Sequence, residues 1–391
     1  MSFSIDVSWK SLNKQGEELC GDKVEVLRTE DSDIVILADG MGSGVKANIL
    51  ATLTSKILGT MLREGASIES CVETVAKTLP ICKVRKVAYA AFSIIQIFHS
   101  GEAYLAEFDN PSCVFIRDGK IVKYPYEVRE IEGKKVHESR FQVKKNDCFT
   151  LMSDGVIYAG AGSILNLQGW TWEAMSEYTL KCTKKTLSAS RLAVMLCQAC
   201  DELYGEKPGD DTTVAVARVI ERRVVSIFTG PPAKKADDER IIYDFMHAEG
   251  KKVISGGTSA NIAARVLGKK IVTEISTAGP DVPPTAVIDG IDLVTEGVLT
   301  LGKCLKLLKK YVRGEFDAEF FDELDADNGA SRLAKLLIEE CTELNLFVGM
   351  AVNDAHKETE LNFDLSMRQN LVEQLVRTAE EMEKRVTVRY Y

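Results

Sequence analysis

Residues Ile36 to Val45 read ILADGMGSGV. An apolar, strand-like run stops at Asp39, three glycines follow within five positions, and an apolar-periodic segment begins behind them. Taken alone, Asp-Gly at a strand end is a turn, because aspartate bonds its own backbone and glycine accepts the tight geometry. The same corner recurs. Asp154 closes a second strand in CFTLMSDGV (148–156), and Asp210 and Asp211 precede a third, TTVAVARVI (212–220). In an antiparallel sheet the end of one strand lies beside the start of its neighbour. Acids after two strands and before another are therefore expected to gather at one sheet edge. An earlier Gly21-Asp22 completes the ordered set.

Carboxylates gathered without cations repel one another, and partial burial strengthens the repulsion. Divalent metal resolves the conflict. Carboxylate, carbonyl and water ligands suit magnesium, manganese or calcium rather than zinc. The chain has only four histidines (His99, His137, His247 and His356), none in these motifs. Two such ions side by side would clamp a phosphoryl oxygen and make a nucleophile of water at neutral pH.

The wider composition limits the alternatives. At 391 residues the chain is long enough for two or three domains, and 45% apolar with 27% charged residues is ordinary for a globular protein. A formal charge of −9 argues against a general polyanion binder such as a nucleic-acid protein. The amino terminus has no apolar signal core, and no run approaches the roughly 18 apolar residues of a membrane helix. Ten scattered cysteines fit a reducing cytosol, so a cytoplasmic protein with no membrane contact is expected. The pair Cys197 and Cys200 lies in RLAVMLCQACDEL, a helix-like segment, and reads as two core thiols rather than a metal or redox site.

The first 220 residues read as strands in runs with helices inserted: 24–28, 33–39, 87–98, 102–108, 112–119 and 120–126. Ser100-Gly101 and Asp118-Gly119 are hairpin chemistry, so antiparallel sheet and an α+β fold are expected. One helix is marked near 45–63 by Ile49, Leu53, Ile57 and Met61, and another near 188–204. Beyond Glu221-Arg222-Arg223 strand-like and helix-like segments alternate, which indicates an α/β domain with a mostly parallel sheet. The expected division is 1–222 and 223–391.

Four segments together, CGD (20–22), ILADGMGSGVKA (36–47), LMSDGV (151–156) and GDDTTVAVARV (209–219), resemble the metal-dependent serine/threonine protein phosphatases of type 2C. The match is to their bacterial, SpoIIE-like branch and spans most of residues 15–220. The resemblance implies an antiparallel β-sandwich flanked by helices, with two divalent ions, Mn or Mg, at one end. It implies that Asp39 bridges the ions, that the Gly40 carbonyl completes one shell, and that Asp154 and Asp210 ligate, with Asp211 a ligand or its support. Asp22 would orient a metal-bound water, the nucleophile, and no phosphoenzyme would form. Eukaryotic relatives carry a histidine after Asp-Gly that can protonate the leaving group; Met41 stands here, as in the SpoIIE-like branch, and leaves the acid unassigned. No arginine for phosphate capture is evident near the first motif, with Lys23 and Lys46 as candidates. The helix behind Gly44 is, by the same resemblance, a switch on metal binding. The implied substrate is a phosphorylated regulatory protein, such as an anti-sigma-factor antagonist, in sporulation or stress regulation.

In the second half, KKVISGGTSANIAARVLGKK (251–270) reads as a strand, a Gly-Gly turn and a helix with Thr258 or Ser259 as N-cap. Such a helix start can bind an anion, but capping alone accounts for the residues. TGPP (229–232), GPDVPP (279–284), LVTEG (293–297) and NDAH (353–356) are further loops, several just beyond strands, where open α/β sheets place ligands. This region is expected to regulate the first or to bind a small ligand. Two rivals remain. A haloacid-dehalogenase-type phosphatase needs a nucleophilic aspartate two residues before Asp39, where Leu37 stands. A signalling adaptor with a phosphatase-like fold is the other, against which the retained Asp39, Asp154 and Asp210 weigh.

Overall fold

The structure, a computed structural model, describes residues 3–78, 90–131, 134–161, 169–279, 281–351 and 358–391. The start of the strand expected at 87–98, Pro280 in the 279–284 loop, and the loop 353–356 lie outside the described residues. The chain divides into two compact units, Met1–Glu221 and Arg222–Tyr391.

The first unit holds two antiparallel sheets. One has the order β1-β11-β10-β6-β7, with β1 Phe3–Leu12, β6 Val114–Arg117, β7 Lys120–Ile121, β10 Cys148–Met152 and β11 Thr212–Glu221. The other has the order β2-β3-β4-β5-β9-β8, with β2 Asp22–Arg28, β3 Ser32–Asp39, β4 Ala91–Phe98, β5 Glu102–Phe108, β8 Glu127–Ile131 and β9 Lys134–Gln142. Val35, Leu37 and Ile95 of the second sheet meet Phe149, Leu151 and Ala217 of the first in a common core. The alternate residues Ile34, Ile36 and Ile94 face the other way, under helices α1 (Gly44–Arg63) and α2 (Ile68–Thr78). Both faces of β3 are thus covered, which is why IVILA is apolar without alternation. Behind the first sheet, Val214 and Val216 pack with Leu192 and Leu196, between helices α3 (Asp154–Ile157), α4 (Trp172–Thr183) and α5 (Ala189–Tyr204). Cys197 and Cys200 are both buried in α5, as core thiols. The unit is an antiparallel β-sandwich flanked by helices.

The second unit has the strand order β14-β15-β16-β13-β12-β17-β18. Its parallel part joins β12 (Val224–Thr229), β13 (Lys251–Ser255), β16 (Leu293–Thr295), β17 (Glu343–Val348) and β18 (Arg385–Tyr390). β14 (Val272–Glu274) and β15 (Thr285–Val287) extend it antiparallel at one edge. Its helices are α6 (Asp238–His247), α7 (Gly257–Leu267), α8 (Val298–Val312), α9 (Ala318–Leu324), α10 (Gly329–Glu339) and α11 (Glu358–Glu381). Phe228, Phe245, Ile254 and Phe347 anchor its core. The N-cap expected at Thr258 or Ser259 is corrected: Gly256 holds that position without a side-chain cap, and both residues lie inside the first turn of α7.

Candidate metal centre

The expected acids do come together, but from two sheets rather than along one sheet edge. Asp22 opens β2 and Asp39 closes β3, and the two are direct partners across the antiparallel pair. Asp154 stands in the first turn of α3, just beyond β10, and Asp210 and Asp211 just before β11. β10 and β11 pair side by side, with Met152 opposite Val214. Each sheet therefore delivers its acids at the same end of the sandwich.

Glycines make the approach close enough. A Cβ on Gly155 would stand 2.1 Å from the Asp211 carbonyl oxygen and 2.6 Å from the Thr212 hydroxyl. A Cβ on Gly40 would stand 2.0 Å from the Ala47 carbonyl oxygen and 2.8 Å from that of Gly21. The Gly40 amide also donates to the Gly21 carbonyl at 3.1 Å. Across the sheets, a Cβ on Gly21 would reach the Asp211 carboxylate, 2.7 Å away. The SDG and CGD glycines are thus spacers that let one acid-bearing corner touch another.

Backbone and hydroxyl bonds hold the frame. The Thr213 amide donates to the Ser153 hydroxyl at 2.9 Å, and the Ser153 amide donates to the Thr213 carbonyl at 3.1 Å. The Tyr204 hydroxyl donates to the Gly155 carbonyl at 2.7 Å. The Lys14 amide donates to Asp211 at 3.0 Å, and its ammonium lies 3.5 Å from Asp210. Lys14 was not foreseen; it follows β1 and comes beside Asp210 only because β1 pairs with β11. Glu17 was likewise unforeseen: its carboxylate accepts from the Ser43 hydroxyl at 3.1 Å, at the start of α1. Lys23 and Lys46 are exposed, and Met41 is half-buried.

The electrostatics are those of acids pressed together. Asp22 and Asp211 are 5% and 4% exposed, and both oxygens of Asp22 and Oδ2 of Asp211 are buried without a hydrogen-bond partner. Burial, then the carboxylates of Asp22, Asp154, Asp210 and Asp211, push Asp39 up to about 9. Burial is also the main cause that raises Asp22 to about 7, with Asp211 and Asp154 adding to it; the nearby Ser153 and Thr213 hydroxyls oppose the rise without reaching hydrogen-bond geometry. Asp154 is raised by burial and by Asp210. Among the described residues, no three acids, histidines or cysteines already stand in metal-holding geometry. The donor set nonetheless fits hard divalent cations: oxygen ligands only, several of them buried and unpartnered. The described histidines lie elsewhere, His99 beside Asp33, His137 against Tyr126 and His247 against Tyr243.

A helix-flanked antiparallel sandwich with acids converging at one end defines the type 2C class of metal-dependent protein phosphatases. Within that class the family is SpoIIE: residues 29–220 match the family model of stage II sporulation protein E, so the first unit is a SpoIIE-family domain. The chain is similar to the type 2C phosphatase domain with a fragment of the regulatory domain of the cell fate determinant SpoIIE from Bacillus subtilis. That match has 20% identity and a TM-score of 0.48, and covers 56% of this chain and 64% of that one. It is also similar to RsbX in complex with magnesium, with 19% identity, a TM-score of 0.40 and coverage of 55% and 95%. The RsbU and RsbW domains of a Mycobacterium tuberculosis protein match at 15% identity, a TM-score of 0.46 and coverage of 62% and 68%. No curated protein sequence matches the chain.

Proposed function

We propose that the first unit hydrolyses phosphoserine and phosphothreonine in a regulatory protein, at a site where Asp39, Gly40, Asp154, Asp210 and Asp211 hold two divalent ions, Mn or Mg. The observation that carries this reading is the convergence of five carboxylates from two sheets, with both oxygens of Asp22 and Oδ2 of Asp211 buried and unpartnered. Such an arrangement is costly to a bare protein and is relieved by cations. When bound, the ions supply charge neutralisation for the phosphoryl oxygens and a water acidic enough to attack at neutral pH. The carboxylates of Asp22, Asp154, Asp210 and Asp211 all act on Asp39, which supports it as the ligand the two ions would share. Asp22, with both oxygens free of partners, accepts hydrogen bonds from water and turns it toward the phosphorus. Lys14 balances Asp210 and offers a cation to the incoming phosphate. Met41 carries no transferable proton, so it leaves the acid for the departing alkoxide unassigned.

Leu37 supports this class over a phosphatase with a nucleophilic aspartate, because it is fully buried in the inter-sheet core and faces no substrate. The substrate's identity as a phosphorylated partner protein, such as an anti-sigma-factor antagonist, follows from the family alone. The test is release of phosphate from a phosphoserine peptide by the full chain. Turnover is expected with manganese or magnesium and none in excess chelator; equal turnover in chelator would contradict the reading.

A further inference from the structure

The second unit has a cavity of about 210 Å³ at the carboxyl ends of β12, β13 and β16, lined by residues that include Thr229, Gly230, Ser255, Ser259, Glu296 and Arg368. In open parallel sheets this is the end at which ligands bind. Two helices begin at it, α7 at Gly257 and α8 at Val298. Their preceding residues, Gly256 and Gly297, approach so closely that a Cβ on Gly297 would stand 3.5 Å from the Gly256 Cα. Two sets of helix-start amides, each with the positive end of a helix dipole, therefore open side by side.

Neither helix start has a side-chain cap. Elsewhere in the same unit Asp317 caps α9 and Asn328 caps α10 with hydrogen bonds of 2.9 to 3.1 Å. A second observation points independently to a ligand. Ser259 lines the cavity and is only 1% exposed, yet its hydroxyl has no partner. That hydroxyl lies 3.5 Å from where a Cβ on Gly256 would be, against the start of α7. A buried hydroxyl left unsatisfied loses its hydration without compensation, so such groups normally meet a partner. Arg368 of α11 adds the cation: its guanidinium crosses Gly230 and donates to the Ala351 carbonyl at 2.8 Å, which holds it in place.

We infer that this cavity binds a small phosphorylated, hydroxyl-bearing metabolite, its phosphate seated on the starts of α7 and α8. A phosphate offers tetrahedrally arranged acceptors to two helix starts, the Ser259 hydroxyl and Arg368 at once, which a planar carboxylate does not. Glu296 argues that the ligand is more than an anion. Its Oε2 is buried in the cavity wall without a partner and needs a donor, which a ligand hydroxyl supplies. The cavity is also larger than a phosphate ion requires.

The test is calorimetric titration of the full chain with AMP, glycerol phosphate, inorganic phosphate and adenosine. A chelator is present throughout, so that the acidic centre of the first unit takes no phosphate. AMP or glycerol phosphate is expected to bind at least about tenfold more tightly than both adenosine and inorganic phosphate. Arg368→Gln and Gly297→Asp should each weaken that binding about tenfold or more, and Ser259→Ala severalfold. A Cβ on Gly297 would come no nearer than 3.5 Å to its neighbours, so an aspartate there sets a carboxylate beside both helix starts and repels the anion. Unchanged or raised thermal stability of Gly297→Asp would show that the fold persists. Failure of both esters to bind, adenosine binding as well as AMP, or binding that survives Gly297→Asp and Arg368→Gln would overturn the inference.

Discussion

Asp39 and Asp22 sit opposite each other on adjacent strands, and both carboxyls hold their protons far above the usual range, at about 9 and about 7. In the unfolded chain both would titrate near 4. A folded pKa raised in this way contributes stability at acid pH and loses it as pH climbs through the folded pKa. The metal-free protein should therefore melt at progressively lower temperature as pH rises from about 5 to about 9. Saturating manganese should flatten that slope and raise the melting temperature; binding at a hundred times Kd contributes about 2.7 kcal/mol. Asp39→Asn should flatten the slope without metal. Equal pH profiles for wild type and Asp39→Asn in chelator would contradict the repulsion. Gly155 makes a second prediction at this scale. Its missing Cβ leaves room for the Asp211 carbonyl, so Gly155→Ala should cost roughly 1–3 kcal/mol in a denaturant melt, as overpacking does, and should abolish activity. The five acids were legible because each stands at a strand end marked by glycine. Lys14 and Glu17 were not, because they follow β1, a strand with a broken burial pattern that offers no sequence period.

Helix α1 is where period and burial part company. The stripe Ile49, Leu53, Ile57 and Met61 correctly marks a helix but not its buried face. Val45, Ile49 and Leu53 are exposed at 58%, 52% and 43%, and only Ile57 and Met61 pack partly on the core. The buried face is Gly44, Ala47, Ala51, Thr54, Ser55, Leu58, Gly59 and Leu62, mostly small residues. Small size is required there because Ala47 rests on Gly40 and Gly21, the backbone that carries Asp39 and Asp22. A shift of α1 would thus move the acid-bearing corner, which supports a switching role for the helix. Ala51→Leu should destabilise the fold by about 1–3 kcal/mol and perturb metal affinity. Leu53→Ser should leave stability within about 0.5 kcal/mol while changing manganese affinity or kcat. A Leu53→Ser protein unchanged in stability, metal affinity and kcat alike would count against the switch.

At the scale of the whole molecule, the change from hairpin-linked strands to alternating strands and helices is written in the chain, and both sheet types follow from it. Strands buried on both faces, such as β3 and β11, announced themselves by unbroken apolar runs. β8 did not: four of its five residues are exposed, as an edge strand permits. The apolar segment 286–294 reads as one strand but holds parts of two, β15 and β16, which pair antiparallel across a turn at 288–292, because three-residue strands are too short to show a period. The two-sheet origin of the acids was also hidden, since strand ends in sequence do not reveal which sheet each joins. The test that bears most directly on the whole arrangement compares wild type, Asp39→Asn and Asp154→Asn in hydrolysis of a generic phosphomonoester across a manganese titration. Activity should rise with manganese in the wild type and fall about a hundredfold or more in each variant, as loss of a transition-state charge stabiliser does. Activity that survives both substitutions, or that needs no divalent metal, would contradict it.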